Sequence, residues 1–201
     1  FRRLNVEVVM KVLALLGSPR KNGNTARVLS WVEDKLKRDG HQVERLDVAA
    51  LGLEGCAGCH LCQKSAPDEL VCSRRDSGLE VFRKMIAADA IIYASPLYWF
   101  DFTAQIKSLI DRHLCLIRGG ADNPATHYSQ LEGKRLALLV TAYDQAGEGN
   151  SDLLSEMFRR MAAFCKAPVT AELVVPYCRE PKDLGPMQKD SAERFAAELV
   201  A

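Results

Sequence analysis

The sequence predicts a doubly wound α/β fold, in which one parallel sheet of five strands carries helices on both faces. Three observations predict it. Strand-like and helix-like segments alternate five times, the strand-like runs are short and mostly apolar, and neither an internal repeat nor a second core interrupts the order. Strands buried on both faces read as continuous apolar runs. Right-handed crossovers between parallel strands then place the helices on the two faces of a single sheet.

The first strand, Lys11–Leu16, breaks into the loop Gly17-Ser-Pro-Arg-Lys-Asn-Gly-Asn-Thr25. From Ala26 onward Val28, Leu29, Val32 and Leu36 recur at helical spacing until Asp39-Gly40, a C-terminal stop. Residues 41–48 alternate apolar and polar as an edge strand does. Periodicity disappears across 49–77, a stretch too long for a plain connection, and four cysteines fall within it. Helical spacing returns over 78–88, with Leu79, Phe82, Met85 and Ile86 on one face, and 89–94 is the short apolar run of a central strand. The third helix is expected over 103–115, facing inward with Ile106, Leu109, Ile110 and Leu114. Beyond Gly119-Gly120 and a polar stretch to Gln130, residues 134–141 form the fourth strand and 142–150 a loop rich in glycine and acidic residues. Helix four carries Leu153, Leu154, Met157, Phe158, Met161 and Phe164, a stripe that reads as core. A fifth strand at 169–176 and a last helix around 187–200, with Phe195 and Leu199 inward, complete the pattern.

Composition narrows the function. The 201 residues are 48% hydrophobic with net charge +1, enough for one generous domain over 10–201. Near-neutral charge without a basic block argues against nucleic acid or an acidic membrane surface as partner. No apolar run reaches the roughly 18 residues of a membrane helix, so a soluble chain is expected. Residues 1–9 form an N-terminal extension with Arg2 and Arg3 but no long apolar segment or cleavage site, so a secretory signal is not expected. The seven cysteines are odd in number and four crowd between 56 and 72. That is unlike a secreted disulfide framework and points to a reducing cytoplasm.

Two loops carry the chemistry. A strand, a Gly/Ser/Asn/Thr loop and a helix present free backbone N–H groups and a helix dipole to an anion. The first loop lacks a Gly-Lys-Ser/Thr ending, and Gly17 and Gly23 do not fit the dinucleotide fingerprint. Ser18, Asn22, Asn24 and Thr25 offer uncharged donors, with Arg20 as the main charge; that set suits a terminal monophosphate such as that of FMN. The alternative is an ordinary loop in which Asn24 or Thr25 caps the helix. In Ser95-Pro-Leu-Tyr-Trp-Phe100, Pro96 stiffens the loop and Tyr98 and Trp99 can lie against a flat heteroaromatic ring. Backbone N–H groups from Leu97 to Phe100 can bond that ring's acceptors. The alternative is that these aromatics cap the sheet or meet another subunit. After the fourth strand, Thr141 and Tyr143 are weaker candidates, whereas Asp144 and Glu148 read as solvated loop charges and Arg112 as an anchor of helix or subunit contacts.

Read with Gln105-Ile-Lys-Ser-Leu-Ile-Asp-Arg112, these motifs resemble the NADPH-dependent FMN reductase and iron–sulfur flavoprotein branch of the flavodoxin-like superfamily, from Met10 to near the end of the chain. The resemblance implies the flavodoxin-like strand order 2-1-3-4-5, with the ligand at the carboxyl ends of the first and third strands, where the order reverses. It also implies that Ser18, Arg20, Asn24 and Thr25 hold the phosphate and Pro96 to Phe100 hold the ring.

Cys56, Cys59 and Cys62 form Cys-x2-Cys-x2-Cys, and nine residues then separate Cys62 from Cys72. Such spacing wraps thiolates around a cubic [4Fe–4S] cluster. Free or redox-active thiols and structural zinc remain the alternatives. His60 is a further ligand in principle; Cys115, Cys165 and Cys178 read as small core residues, and His41, His113 and His127 as surface or satisfied positions. The resulting expectation is a cytoplasmic FMN-dependent oxidoreductase, a homodimer or homotetramer. It would pass electrons from NAD(P)H or a protein donor to a small acceptor such as a quinone, with ferredoxin as partner if the cluster is present. The flavin carries the chemistry, so no side chain is assigned as catalytic. A non-enzymatic electron carrier, which the near-neutral charge disfavours, and a zinc-stabilised scaffold are the competing readings.

Overall fold

Each expected sheet strand forms where its apolar run lies. In the computed structural model, which describes residues 8–66, 68–119 and 126–201, the chain runs β1 (Lys11–Leu16), α1 (Asn24–Arg38), β2 (Gln42–Asp47), α2 (Leu61–Lys64), α3 (Gly78–Ala87), β3 (Ala90–Pro96), α4 (Ala104–Ile110), β4 (Ile117–Arg118), β5 (Tyr128–Ser129), β6 (Arg135–Thr141), α5 (Asp152–Phe164), β7 (Val169–Val175) and α6 (Pro186–Val200). Five strands pair in parallel in the order β2-β1-β3-β6-β7, which is the expected 2-1-3-4-5 counted over the sheet alone.

Alternation along β1 divides the core in two. Leu13 and Leu15 face α3, α4 and α5 with Phe82, Met85, Ile106 and Phe158, while Val12, Ala14 and Leu16 face α1 and α6 with Val28, Leu29, Phe195 and Leu199. Each fully buried Leu or Phe contributes about 1.5–3 kcal/mol. Register sets the upper rim: Leu16 lies opposite Ala94, and Pro96 opposite Thr141, so β1, β3 and β6 release their loops side by side.

Four expectations need correction. The third helix stops at Ile110 and tightens into a 3-10 turn, His113–Leu116, because Arg112 turns inward to pair with Asp76. The antiparallel ribbon β4–β5 lies where a polar stretch was read; two-residue strands leave no periodicity, and residues 120–125 of that stretch lie outside the described residues. In α5 the inward line is Leu154, Phe158 and Ala162, at successive i, i+4 positions. Leu153 (64% exposed) and Phe164 (53%) fall off it, and the stripe is only partly core. The irregular segment 49–77 contains the short helix α2. Of the N-terminal extension, residues 1–7 lie outside the described residues, and Val8 and Val9 are exposed.

Candidate cofactor site

The loops after β1 and β3 are tied to one another before they reach the surface. Gly17 N donates to Ala94 O (2.8 Å), Thr103 Oγ1 donates to Gly17 O (2.8 Å), and Thr103 N donates to Ser95 Oγ (3.2 Å). Beyond Gly17 the loop closes on itself. Ser18 Oγ donates to Arg20 O and accepts from Arg20 N, each at 3.2 Å, and Gly23 N donates to Arg20 O (3.0 Å). Helix α1 then starts at Asn24, with no side-chain cap and no acidic residue in its first turn. The N–H groups of Asn24, Thr25 and Ala26 have no partner among the described residues. A helix end of this kind carries roughly half a positive charge. The capping alternative fails because both candidate caps are turned elsewhere: Asn24 Nδ2 donates to Cys178 O (3.2 Å), and the Thr25 and Thr141 hydroxyls share a 2.6 Å hydrogen bond.

A cavity of about 470 Å³ opens over these groups. It is lined by Ser18, Arg20, Asn22, Asn24 and Thr25 from the first loop, Pro96, Leu97 and Tyr98 from the second, and Thr141 and Tyr143 from the third. Ten of the twelve cofactor candidates therefore meet in one place. Sequence reasoning missed Gly23, Cys178, Arg179 and Pro181, which also line it. Cys178 was read as core, yet it is half-buried at the cavity wall. The Arg179 guanidinium lies 4.6 Å from the centre of the Tyr143 ring and its Nε donates to Tyr143 O (3.1 Å). No carboxylate lines the cavity, so two arginines and a helix N-terminus make it cationic. The only sequence signal for the extra wall was a polar segment directly after the last strand.

The aromatic loop departs from expectation in its backbone. Tyr98 and Asp101 exchange N–H···O bonds (3.0 and 3.1 Å) around Trp99 (φ 50°) and Phe100 (φ 65°), a two-residue turn with both central residues left-handed. Leu97 N donates to Thr141 O (2.9 Å), so the Leu97 and Tyr98 N–H groups are already committed. Only those of Trp99 and Phe100 remain for a ligand. The turn carries Trp99 (92% exposed) and Phe100 away from the phosphate-type cavity. They line instead an adjoining hollow of about 410 Å³ with Leu97, Tyr98, Tyr143, Asp144 and Asn150. Asp144, read as a solvated charge, thus borders the hollow. Bulky left-handed residues cost about 1–3 kcal/mol each, and this turn type prefers Asn-Gly. The double variant Trp99→Asn, Phe100→Gly is expected to be more stable than the parent by about 1 kcal/mol in urea denaturation without cofactor; equal or lower stability would show that the turn is unstrained.

At the cysteine-rich loop, Cys56, Cys59, Cys62 and Cys72 do converge on one enclosure, with His60 and Arg112 also in its wall. Cys56 and Cys59 are exposed, Cys62 is buried and Cys72 half-buried. The Cys59 thiol pairs with Ser73 Oγ (3.0 Å), and this bond, with the Leu61 N–H, lowers its pKa below the usual thiol value. As it stands the enclosure holds about 20 Å³, and among the described residues no three potential ligands are spaced to hold a single metal ion. A thiol-only donor set nevertheless fits iron–sulfur chemistry, and Gly58 N donates to Cys56 Sγ (3.4 Å).

Cys115 is a buried core residue, as expected, and it also lines the same enclosure as Cys62 and Cys72; burial pushes its pKa upward. Cys165 does behave as a core thiol, pushed up to about 11 by burial. Arg112 anchors the enclosure from below. Its Nη1 and Nη2 donate to the two Asp76 oxygens (2.7 and 2.9 Å) and Nη1 also to Glu54 O (3.2 Å). Desolvation pushes the Asp76 carboxyl up, but the Arg112 bonds and the N–H groups of Glu54 and Gly78 outweigh it and hold the group at about 2. His113 and His127 are buried, and His127 is a satisfied position, its Nε2 paired with Phe164 O (2.6 Å). His113 packs edge-on against Phe82 and Tyr93, and burial lowers its pKa to about 4.

Residues 10–176 match the NADPH-dependent FMN reductase family. An iron–sulfur flavoprotein of Archaeoglobus fulgidus is 35% identical over 152 residues, covering 76% of this chain and 62% of the relative. One from Methanosarcina thermophila is 32% identical over 109 residues, covering 54% and 55%. The chain thus spans about half to three-fifths of the length of the curated relatives it matches. Among solved structures, an NAD(P)H:quinone oxidoreductase from Methanothermobacter marburgensis shares the fold with a TM-score of 0.73 at 16% identity, covering 94% of this chain and 98% of that one. An FMN-dependent NADH-azoreductase from Bacillus anthracis, solved with FMN, superposes with a TM-score of 0.72 at 11% identity, covering 95% and 100%. No helix among the described residues is long and apolar enough to cross a membrane. With its flavodoxin-like sheet, its uncapped helix after β1 and a match that spans most of its length, the chain belongs to the NADPH-dependent FMN reductase family.

Proposed function

We propose that this chain is an FMN-dependent oxidoreductase that takes electrons from NAD(P)H and passes them to a small acceptor such as a quinone, with Cys56, Cys59, Cys62 and Cys72 as ligands of an iron–sulfur cluster. The observation that carries the flavin reading is the uncapped N-terminus of α1 opening into a cavity with two arginines, two tyrosines and no carboxylate. FMN, when bound, supplies hydride and single-electron chemistry to a protein whose own side chains do neither. Arg20, the Ser18 and Thr25 hydroxyls, Asn22, Asn24 and the free N–H groups of α1 bind the phosphate. The Thr25–Thr141 hydrogen bond fixes two of the hydroxyls facing the cavity, so they are oriented before a ligand arrives. Tyr98, and Tyr143 held by Arg179, flank the ring, and Trp99 and Phe100 border the hollow where donor and acceptor approach.

A visible spectrum of protein incubated with FMN tests the reading. Expected are bound-flavin bands that bleach with NADPH or NADH and return on adding a quinone. Bleaching by dithionite alone would move the donor to a protein such as a ferredoxin, and no bound flavin at all would overturn the proposal. Arg20→Ala is expected to weaken FMN binding by about 10- to 100-fold, the cost of one charge-assisted hydrogen bond of about 1.5–3 kcal/mol. Fluorescence titration checks it, and unchanged affinity would remove Arg20 from the phosphate site.

A further inference from the structure

The hollow beside the cofactor cavity differs from it in charge. The cavity has Arg20 and Arg179 in its wall and no carboxylate, whereas the hollow has four aromatic rings, Tyr98, Trp99, Phe100 and Tyr143, and Asp144 as its one charged residue. Leu97, Tyr98 and Tyr143 line both spaces, so a molecule in the hollow abuts whatever fills the cavity. Its volume of about 410 Å³ lies in the range of small-molecule sites. The polar groups on its rim are fixed in place. Asp144 O accepts from Tyr177 N (3.1 Å) and Asp144 Oδ1 accepts from Gln145 N (3.0 Å), while the Asn150 amide donates to Gln145 O and Asn150 N donates to Asp152 Oδ1 (3.1 Å). Among the described residues Asp144 forms no ion pair. The guanidinium nearest along the fold, that of Arg179, is turned to the Tyr143 ring and to Tyr143 O, and it lines the cavity rather than the hollow.

We propose that the hollow is the acceptor subsite and that Asp144 sets its charge preference, admitting planar aromatic acceptors that are uncharged or cationic and disfavouring anionic ones. The inference rests on the FMN oxidoreductase reading above. Aromatic side chains stack on a flat ring and attract a cation through their quadrupoles, and a carboxylate without a counter-ion attracts a cation and repels an anion. The net reaction concerned breaks the C–H bond of the reduced nicotinamide and forms two O–H bonds on the quinone. NAD(P)H, the quinone and one proton from solvent give NAD(P)+ and the hydroquinone, with two electrons passing from the first to the second. Asp144 takes no part in that bookkeeping; it selects which acceptor reaches the site.

The test uses the full chain loaded with FMN, reduced anaerobically with stoichiometric dithionite so that the donor plays no part. The reduced protein is mixed in stopped flow with naphthoquinone, a naphthoquinone sulfonate and a trimethylammonium-substituted naphthoquinone. Each charged quinone's reoxidation rate constant is divided by that of the neutral one in the same protein, so that intrinsic reactivity cancels when parent, Asp144→Asn and Asp144→Lys are compared. The asparagine keeps the oxygen that accepts from Gln145 N. Expected is a cation-to-anion ratio that falls by about fivefold in Asp144→Asn, the scale of exposed charge pairs, and falls further in Asp144→Lys. In the parent the ratio should narrow as salt rises from about 0.01 to about 0.15 M and the screening length shortens from about 30 to about 8 Å; in Asp144→Asn salt should move it less. Equal ratios in the three proteins would mean that the acceptor does not face this carboxylate, as when a second copy of the chain covers the hollow, and would overturn the proposal. A chain that retains no FMN, or whose reduced flavin none of the quinones reoxidises, would instead overturn the oxidoreductase reading, a result separable from the first. Should the variants fail to fold, the parent's salt series decides: a ratio that salt does not move excludes the role of Asp144.

Discussion

Replacing Asp76 with alanine will destabilise the chain by about 3–5 kcal/mol at neutral pH, because it leaves a buried guanidinium without its counter-ion. Arg112 is 1% exposed, lies 5.9 Å from the centre of the Phe82 ring, and gives Asp76 two hydrogen bonds. Asp76 is its only carboxylate ion-pair partner among the described residues. The pair also explains Gly78. A Cβ there would lie 2.4 Å from Arg112 Nη2 and 2.6 Å from Cζ, so the first residue of α3 has to be glycine for the guanidinium to pass beneath it. The carboxyl, held at about 2 in the folded chain, lies below its ordinary value of 3.8. A depressed carboxyl contributes stability above its unfolded pKa and loses that contribution as pH falls through its folded one. The gap between parent and Asp76→Ala in urea denaturation should therefore be full above about pH 4 and close towards pH 2. A gap below about 1 kcal/mol at neutral pH, or one that does not narrow in acid, would sink this account. The same variant is expected to disturb the cysteine enclosure, since Arg112 is part of its wall.

The second large effect is expected at Gly17. A Cβ at this position would lie 2.1 Å from Ile106 Cγ1 and 3.0 Å from Thr103 Oγ1. Ile106 is fully buried and β-branched, so it has little room to yield. Gly17→Ala should cost about 1–3 kcal/mol through overpacking. It should also push apart the two loops that Thr103 ties together, lowering FMN affinity by at least about tenfold, or 1.4 kcal/mol. Thermal unfolding and FMN titration read the two effects. Gly17→Ala combined with Ile106→Ala, which removes the clashing Cγ1, should recover part of the FMN affinity, with a coupling of about 0.5–3 kcal/mol. A single variant with parental stability and affinity would mean that the loops adjust independently of this contact.

The sheet and the first loop were legible in the sequence for related reasons. A strand covered on both faces has to be apolar along its length, so β1, β3 and β6 declare themselves, and the strand order followed from the resemblance that the loop motifs carried. The phosphate-type loop is contiguous in sequence, so its donors could be listed before their geometry was seen. The sequence alone thus determined the fold class, ten of the residues that line the cavity and the family itself. Other features were decided only by the tertiary structure. Arg179 and Cys178 reach the cavity from the far side of β6, and Cys115 lines one enclosure with Cys62 across more than fifty positions of chain. Such proximities depend on packing between distant elements and leave no local period. The direction of Trp99 rests on two left-handed residues that propensity argues against. The exposure of Leu153 and Phe164 depends on where the neighbouring elements end, because an apolar residue one step off the inward line has the same composition as one upon it.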